Sequence, residues 1–243
     1  MINLDVLALK VDDPVGFTFF IGYMAMFASA VFFYTERGSV DGKWKLSLLV
    51  SALITGIAAV HYYYMRDYYL ATGDNPTVLR YIDWTLTVPL MCVEFYLLTK
   101  AAGASKGLLW KLILASAWML IAGYIGEAFG NGRAGFIALW GFLSTLGYIY
   151  VLYTAWYGEV AQLAAKSGSA TVQSGIRALA WFVLVGWAIY PIGYMCMEGG
   201  WLNTALGWNS SNVDLFYNIA DAVNKIGFGL VVYNIAINNS SKA

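Results

Sequence analysis

Asp221 and Lys225 stand four residues apart, so on a helix they share one face and can pair. A second set comes earlier in the chain. At 100° per residue, Arg80, Asp83, Thr87, Met91 and Glu94 fall within a sector of about 80° on one helix face. Asp83 and Glu94 lie eleven positions apart, about 16 Å along that face. Two carboxyl groups so spaced can serve as stations for a proton, since an acid kept neutral can donate and a carboxylate kept ionised can accept. Their sequence neighbours differ: Asp83 has Arg80 one turn away, whereas Glu94 has apolar neighbours and no nearby cation. His61, the sole histidine, is either a core residue bonded to one partner or a group that tunes Asp83. Trp84, Trp187, Tyr190 and Pro191 could wall a flat ligand, although most aromatic residues of such a chain belong to lipid-facing or interfacial positions. Hydrolytic chemistry has little support: no serine nucleophile pairs with a histidine, and no metal cluster or phosphate loop is present in the sequence. Cys92 and Cys196 sit inside apolar stretches and read as buried free thiols.

The elements that must position these groups follow from composition. Of 243 residues, 60% are apolar and 12% charged, against ~45–50% and ~25% in a soluble domain. Mean hydropathy is +0.63. Fourteen basic and fourteen acidic residues cancel. These values exclude a disordered chain, a basic nucleic-acid binder and an ordinary cytosolic enzyme. Seven apolar runs recur: 15–34, 45–65, 76–99, 106–129, 135–157, 171–196 and 212–237. Each is near or above the ~20 residues that a helix needs to cross a bilayer, whereas barrel strands need only ~9–11 with strict alternation. The expected fold is therefore an all-α integral membrane protein, a seven-helix bundle in one domain over residues 1–243. Residues 1–14, with mixed charges and a short apolar stretch, do not read as a secretory signal.

Orientation follows from Lys and Arg. Nine (Arg37, Lys43, Lys45, Lys100, Lys106, Lys111, Lys166, Arg177, Lys242) fall on one side and three (Lys10, Arg66, Arg133) on the other, with Arg80 and Lys225 inside spans. The richer side is cytoplasmic, which puts the N-terminus outside and the C-terminus inside. Pro89 and Pro191 lie mid-span and are expected to kink their helices. Lys225 lies near the middle of the last span, where a lysine costs about 2.5–3.5 kcal/mol on insertion scales, so it must face the interior with a partner. The polar stripe from Arg80 to Glu94 must line the interior for the same reason. A purely structural Lys225–Asp221 ion pair is the competing reading.

Three motifs together resemble one family. RYIDWTLTVP (Arg80 to Pro89) is similar to the third helix of microbial rhodopsins, WAIYP (Trp187 to Pro191) to their sixth, and DAVNK (Asp221 to Lys225) to the retinal-lysine motif of their seventh. HYYYMRDYYLATGDNPT, before the third span, adds to the likeness. The resemblance covers all seven spans and points to the proteorhodopsin group, the flavobacterial type in particular. It implies that Lys225 carries all-trans retinal as a protonated Schiff base. Asp83 would be the counterion and proton acceptor, Asp221 the second counterion with Arg80 beneath the pair, and Glu94 the cytoplasmic donor. His61 occupies the position of the family histidine that bonds the counterion. Asp83, Thr87 and Glu94 match the Asp-Thr-Glu triplet of outward proton pumps; sodium pumps carry Asn-Asp-Gln and chloride pumps replace the acidic acceptor. Trp84, Met91, Trp187, Tyr190 and Pro191 would contact the chromophore. Met91 aligns with the colour-tuning position, where an apolar residue goes with green absorption.

The expected function is thus a light-driven outward proton pump, an ion transporter and not an enzyme, in the bacterial inner membrane. A photosensory receptor acting through a partner protein is the alternative, and Glu94 counts against it because sensory members often lack a carboxylic donor. A seven-helix protein without photochemistry is a third reading. The lipid bilayer and protons are the partners, with no nucleic acid and no metal. The family implies a homo-oligomer, pentamer or hexamer. Gly141, beside Trp140, is near the position where carotenoid-binding rhodopsins leave an opening toward the retinal ring, so a carotenoid antenna is a further expectation; a helix-packing glycine is the alternative. Glu127 and Glu198 are external candidates for releasing the proton.

Overall fold

A computed structural model describes residues 12–207 and 213–241. In lipid every backbone N–H and C=O must be satisfied within the chain, and helices do this one segment at a time. The described elements are all helical: α1 (Pro14–Glu36), α2 (Gly42–Thr72), α3 (Thr77–Thr99), α4 (Lys106–Phe129), α5 (Ala134–Trp156), α6 (Glu159–Lys166), α7 (Ala170–Trp181), α8 (Ile189–Cys196), α9 (Trp201–Leu206) and α10 (Val213–Asn238), with a 3-10 turn at Lys100–Ala102 and a π-helical turn at Phe182–Gly186. They form seven spans long and apolar enough to cross a membrane, α5 running on into α6 and α7 into α8. The chain is a multi-pass membrane protein.

Local chemistry sets the ends. Asp13 caps α1 by accepting from the Gly16 N–H at 2.8 Å, with Pro14 in the first turn. Ser105 and Ser169 cap α4 and α7 through the Leu108 and Val172 amides. Gly73, at φ 76°, closes α2 in the left-handed region. That closure corrects the second span expected at 45–65: hydropathy marks the part that crosses lipid, but nothing stops the helix before Gly73, so it continues through Arg66 and Asp67. The fifth span likewise continues as α6 after a bend at Gly158, where a Cβ would meet the Thr154 Cα at 2.8 Å. The last span begins at Val213 among the described residues; Asn212, Lys10 and Lys242 lie outside them. Pro89 lies within an unbroken α3, whereas the sixth span is divided ahead of Pro191 rather than simply kinked.

The helices pack in a closed order: α1 on α2 and α10, α2 on α3, α3 on α4, α4 on α5, α5 on α7, and α7 and α8 on α10. Large apolar side chains such as Phe27, Leu114, Phe142, Val185 and Val223 face outward, while Ser51, Thr55, Arg80, Asp83, Thr87, Glu94, Asn218, Asp221 and Lys225 are buried. This distribution suits a lipid solvent. Of the two cysteines, Cys92 is buried and Cys196 only half-buried, and both are free.

Gly147 shows how closely the helices approach. A Cβ there would meet the Ala115 carbonyl at 2.6 Å and the Met119 Cβ at 2.9 Å, both on α4. Gly147→Ala should therefore destabilise the bundle by about 1–3 kcal/mol, the usual cost of overpacking, read as a lowered midpoint in thermal unfolding of the purified protein.

Candidate functional site

Lys225 projects from the middle of α10 into the bundle and is 2% exposed. Its Nζ donates to Asp83 Oδ2 of α3 at 2.5 Å and to Asp221 Oδ2 at 2.6 Å. A lone buried ammonium would be prohibitive; two charge-assisted bonds and two opposite charges offset its desolvation. The i,i+4 pairing expected of Asp221 and Lys225 is present, and α3 adds the second carboxylate from 142 positions away. Asp221 also accepts from the Tyr190 hydroxyl of α8 at 2.8 Å. Thr87 is buried one turn below Asp83 and donates to the Asp83 carbonyl at 2.9 Å.

His61 stands beside Asp83, with Nδ1 at 3.6 Å from Asp83 Oδ1. The same Nδ1 lies 2.9 Å from the Ile57 carbonyl. A carbonyl only accepts, so the ring proton on Nδ1 is directed to Ile57. The contact with Asp83 is proximity without a direct hydrogen bond, which differs from what the resemblance implies.

Arg80 is held from α10. Its Nη2 donates to Asp214 Oδ1 at 2.5 Å and to Asn218 Oδ1 at 2.9 Å, both on α10, instead of turning to Asp83. Asp83 is already bonded to Lys225, and the guanidinium reaches a free carboxylate near the start of α10. The rings of Phe19 and Tyr217, each 5.3 Å from the guanidinium carbon, complete its cage. Asn218 in turn donates to Thr18 of α1 at 3.1 Å. Asp214 and Asn218 were not foreseen; their spacing, seven and three residues before Asp221, is the signal that puts them on its face.

Glu94 is fully buried at the other end of α3. The Ser51 hydroxyl of α2 donates to its Oε1 at 3.1 Å, and Oε2 has no partner among the described residues. Its surroundings are therefore not wholly apolar, because α2 brings a hydroxyl that the neighbours in sequence did not reveal. Glu127 accepts from Tyr81 at 2.9 Å and from Thr77 at 3.4 Å, inside the outer end of the bundle. Glu198 lies by Gly132 in the loop region.

A cavity of about 540 Å³ lies beside this centre. Trp84, Trp187, Tyr190 and Pro191 line it, as expected; Met91 is buried on α3 but stands outside its wall. Tyr190 joins the two, its ring in the wall and its hydroxyl on Asp221. Gly123 also lines the cavity, and a Cβ there would meet Tyr81 Oη at 3.1 Å and Ser144 Oγ at 3.4 Å. An apolar aromatic slot adjoining one buried amine suits a long, flat, apolar aldehyde held through that amine. Among the described residues no group of His, Cys, Asp or Glu could hold a metal ion.

Residues 13–239 match the family model described as bacteriorhodopsin-like protein. The chain is 45% identical to a green-light absorbing proteorhodopsin of Gamma-proteobacterium EBAC31A08, over 97% of this chain and 91% of that one. It is 46% identical to a blue-light absorbing proteorhodopsin of Gamma-proteobacterium Hot 75m4, with the same coverage. The structure resembles that of xanthorhodopsin, described as a light-driven ion pump with dual chromophore, at TM-score 0.79 and 32% identity over 93% of each chain.

In the Arg80–Asp214 pair the guanidinium is buried and the carboxylate only partly so. Asp214→Ala leaves that guanidinium without its anion and should cost about 3–5 kcal/mol of stability, measured by thermal or denaturant unfolding.

Proposed function

The chain belongs to the bacteriorhodopsin-like family, and on that premise we propose that it is a light-driven outward proton pump, with Asp83 as acceptor and Glu94 as donor for a proton carried on the Lys225 nitrogen. The observation that carries the reading is the placement of these groups on α3 and α10. Lys225 Nζ touches Asp83 and Asp221, while Glu94 lies eleven positions further along α3, toward the end of the bundle where Arg37, Lys43, Lys45, Lys100 and Lys106 gather.

Lys225 would hold all-trans retinal, which would supply light absorption and a light-driven change of shape. The residues do the rest. Asp83 and Asp221 hold the cation on that nitrogen at rest. Asp83, within hydrogen-bond reach of the Lys225 nitrogen, would take its proton, which removes a charge pair from a low-dielectric site. Tyr190 keeps Asp221 fixed while this occurs. Glu94, on the inner side, returns a proton to the nitrogen, and Ser51 holds its carboxyl in place. Acceptor toward the outside and donor toward the inside make the transport outward. Arg80, anchored by Asp214 and Asn218, lies next on the exit side. Glu127, bonded to Tyr81 beside Arg80 in the sequence, has better support as the release group than Glu198.

Relatives of both colours match almost equally, so overall similarity does not decide the absorption maximum. Met91 favours green, because an apolar side chain does little to hold charge at the nitrogen end of the polyene. Localisation in the bacterial inner membrane and assembly as a pentamer or hexamer rest on the family alone. The carotenoid antenna expected at Gly141 is not supported: Gly141 lines the cavity, but the Tyr194 ring lies 2.7 Å from where its Cβ would be, as at a helix-packing glycine. Energy transfer from added hydroxylated carotenoid in an excitation spectrum would restore that expectation.

Retinal-fed cells expressing the chain, in unbuffered suspension, should acidify the medium on illumination, and a protonophore should abolish the change. Pigmented cells that give no pH change would favour the photosensory reading. Lys225→Ala should lose all colour. Glu94→Gln should keep colour while late recovery after a flash slows by about 10²-fold or more, the usual scale of a lost proton-transfer group; unchanged recovery would remove Glu94 from the donor role.

A further inference from the structure

A cation without a carboxylate stands on the inner rim of the bundle. Arg177 of α7 is exposed, and its guanidinium lies over the Trp156 ring of α5, 4.7 Å from the centroid. That ring is itself fixed: its Nε1 donates to the Ala180 carbonyl at 3.0 Å, and the Trp181 ring meets it edge-on at 5.0 Å. Stacking occupies the face of a guanidinium and leaves its in-plane N–H groups free, the edge that grips a phosphate with two bonds. Among the described residues no carboxylate pairs with Arg177; Glu159, at the start of α6, faces Lys111 of α4 at 3.9 Å.

Depth selects the partner. Arg177 precedes Trp187, which lines the cavity beside the Lys225 centre, by ten positions, about 15 Å of helix toward the inner side. Lys225 lies near the middle of its span, and half a hydrocarbon core is about 15 Å. Arg177 therefore sits where the inner leaflet carries its phosphates. Toward the bilayer centre the adjoining surface is apolar. Trp181 and Val185 continue the outward side of the sixth span, and Tyr153 and Ile149 face outward on α5, which packs against α7. The guanidinium thus heads an apolar strip that runs into the membrane.

We propose that Trp156, Arg177 and Trp181 form a binding site for an inner-leaflet phospholipid of net negative headgroup, its phosphate on the Arg177 guanidinium and one acyl chain along Trp181 and Val185. An anionic lipid is favoured over a zwitterionic one, because the latter brings its own cation and no carboxylate at the site receives it. Aromatic and basic residues at a membrane boundary ordinarily act singly and accept any lipid. Here the arginine is held in place before the lipid arrives, by a ring whose own N–H is committed to the backbone. Binding therefore costs less side-chain ordering than at a free arginine. The site needs only the membrane-spanning fold and is independent of what Lys225 carries.

The test is native mass spectrometry of the purified full chain, released from micelles that hold equal amounts of phosphatidylglycerol and phosphatidylcholine. The wild type should retain one phosphatidylglycerol more tightly than any other lipid. Arg177→Gln should weaken that adduct by about fivefold, the usual worth of one basic residue at an anionic membrane surface. Arg177→Lys, which keeps the charge and gives up the flat stacked fork, should fall between the two. Lys166→Gln removes another exposed cation from the same side and should retain the lipid as the wild type does. Excess inorganic phosphate, which has no acyl chain, should not displace it. Equal retention in Arg177→Gln, or phosphatidylcholine held as tightly, would overturn the site. Equal loss in Lys166→Gln would replace it with a diffuse basic rim, and displacement by inorganic phosphate would remove the lipid as its occupant. A copy number that changes in Arg177→Gln while the lipids per chain do not would show this face covered by a second copy instead. Thermal unfolding of the wild type needs no substitution: added phosphatidylglycerol should raise the midpoint above that in phosphatidylcholine, and equal midpoints would overturn the proposal.

Discussion

A lysine ammonium enclosed by two carboxylates in the middle of the bundle is the constraint to which the rest of the structure answers. Each of the three charges costs several kcal/mol to remove from water, and only close, well-directed pairing offsets this. That requirement fixes α3 against α10, since a slip of one residue along either helix would move its carboxylate or amine by about 1.5 Å and turn it by about 100°. It also determines which faces turn inward. Once Asp83 and Asp221 are committed to Lys225, the residues sharing their stripes (Arg80, Thr87 and Glu94 on α3, Asp214 and Asn218 on α10) turn inward as well, and each needs a partner. Thr87 bonds back to the Asp83 carbonyl of its own helix, Arg80 and Asp214 pair between α3 and α10, and Thr18 of α1 and Ser51 of α2 serve Asn218 and Glu94.

What the sequence disclosed and what it concealed divide along this line. The seven spans were legible because hydropathy and length are local properties, and the Asp221–Lys225 pair because a helix places i and i+4 together. Asp83 and Glu94 were recognisable as a stripe for the same reason. The partners of the stripe were not, because they are chosen by packing between helices. Arg80 and Asp214 are 134 positions apart, and Ser51 and Glu94 are 43 apart. Arg80 stands one turn from Asp83 in sequence, but Lys225 holds that carboxylate and the long side chain reaches past it to Asp214. The C-terminal end of α2 was misplaced because apolarity reports contact with lipid, whereas a helix stops where its backbone is made to stop, at Gly73. Pro191 hinted at an irregularity in the sixth span, but the π-helical turn lies ahead of it and depends on Tyr148 and Asn224, which only the fold brings there.

The two halves of the interior are unlike, and the difference bears on direction. Toward the outside, polar and charged groups follow one another: Arg80, Asn218, Asp214, then Tyr81 with Glu127. On the proposed outward route, a proton leaving Asp83 on that side would meet groups that already share hydrogen bonds. Toward the inside, Glu94 stands with Ser51 amid an apolar core in which the Phe95 and Phe228 rings pack edge-on at 5.8 Å. A carboxyl in such surroundings cannot exchange a proton with water unless the packing parts. The easy path outward is thus permanent and the inner path is conditional. A molecule so built has its conditional step on the inner side only, while the freed carbonyls of the sixth span's π-helical turn are held by Tyr148 of α5 and by Asn224, the residue next to Lys225.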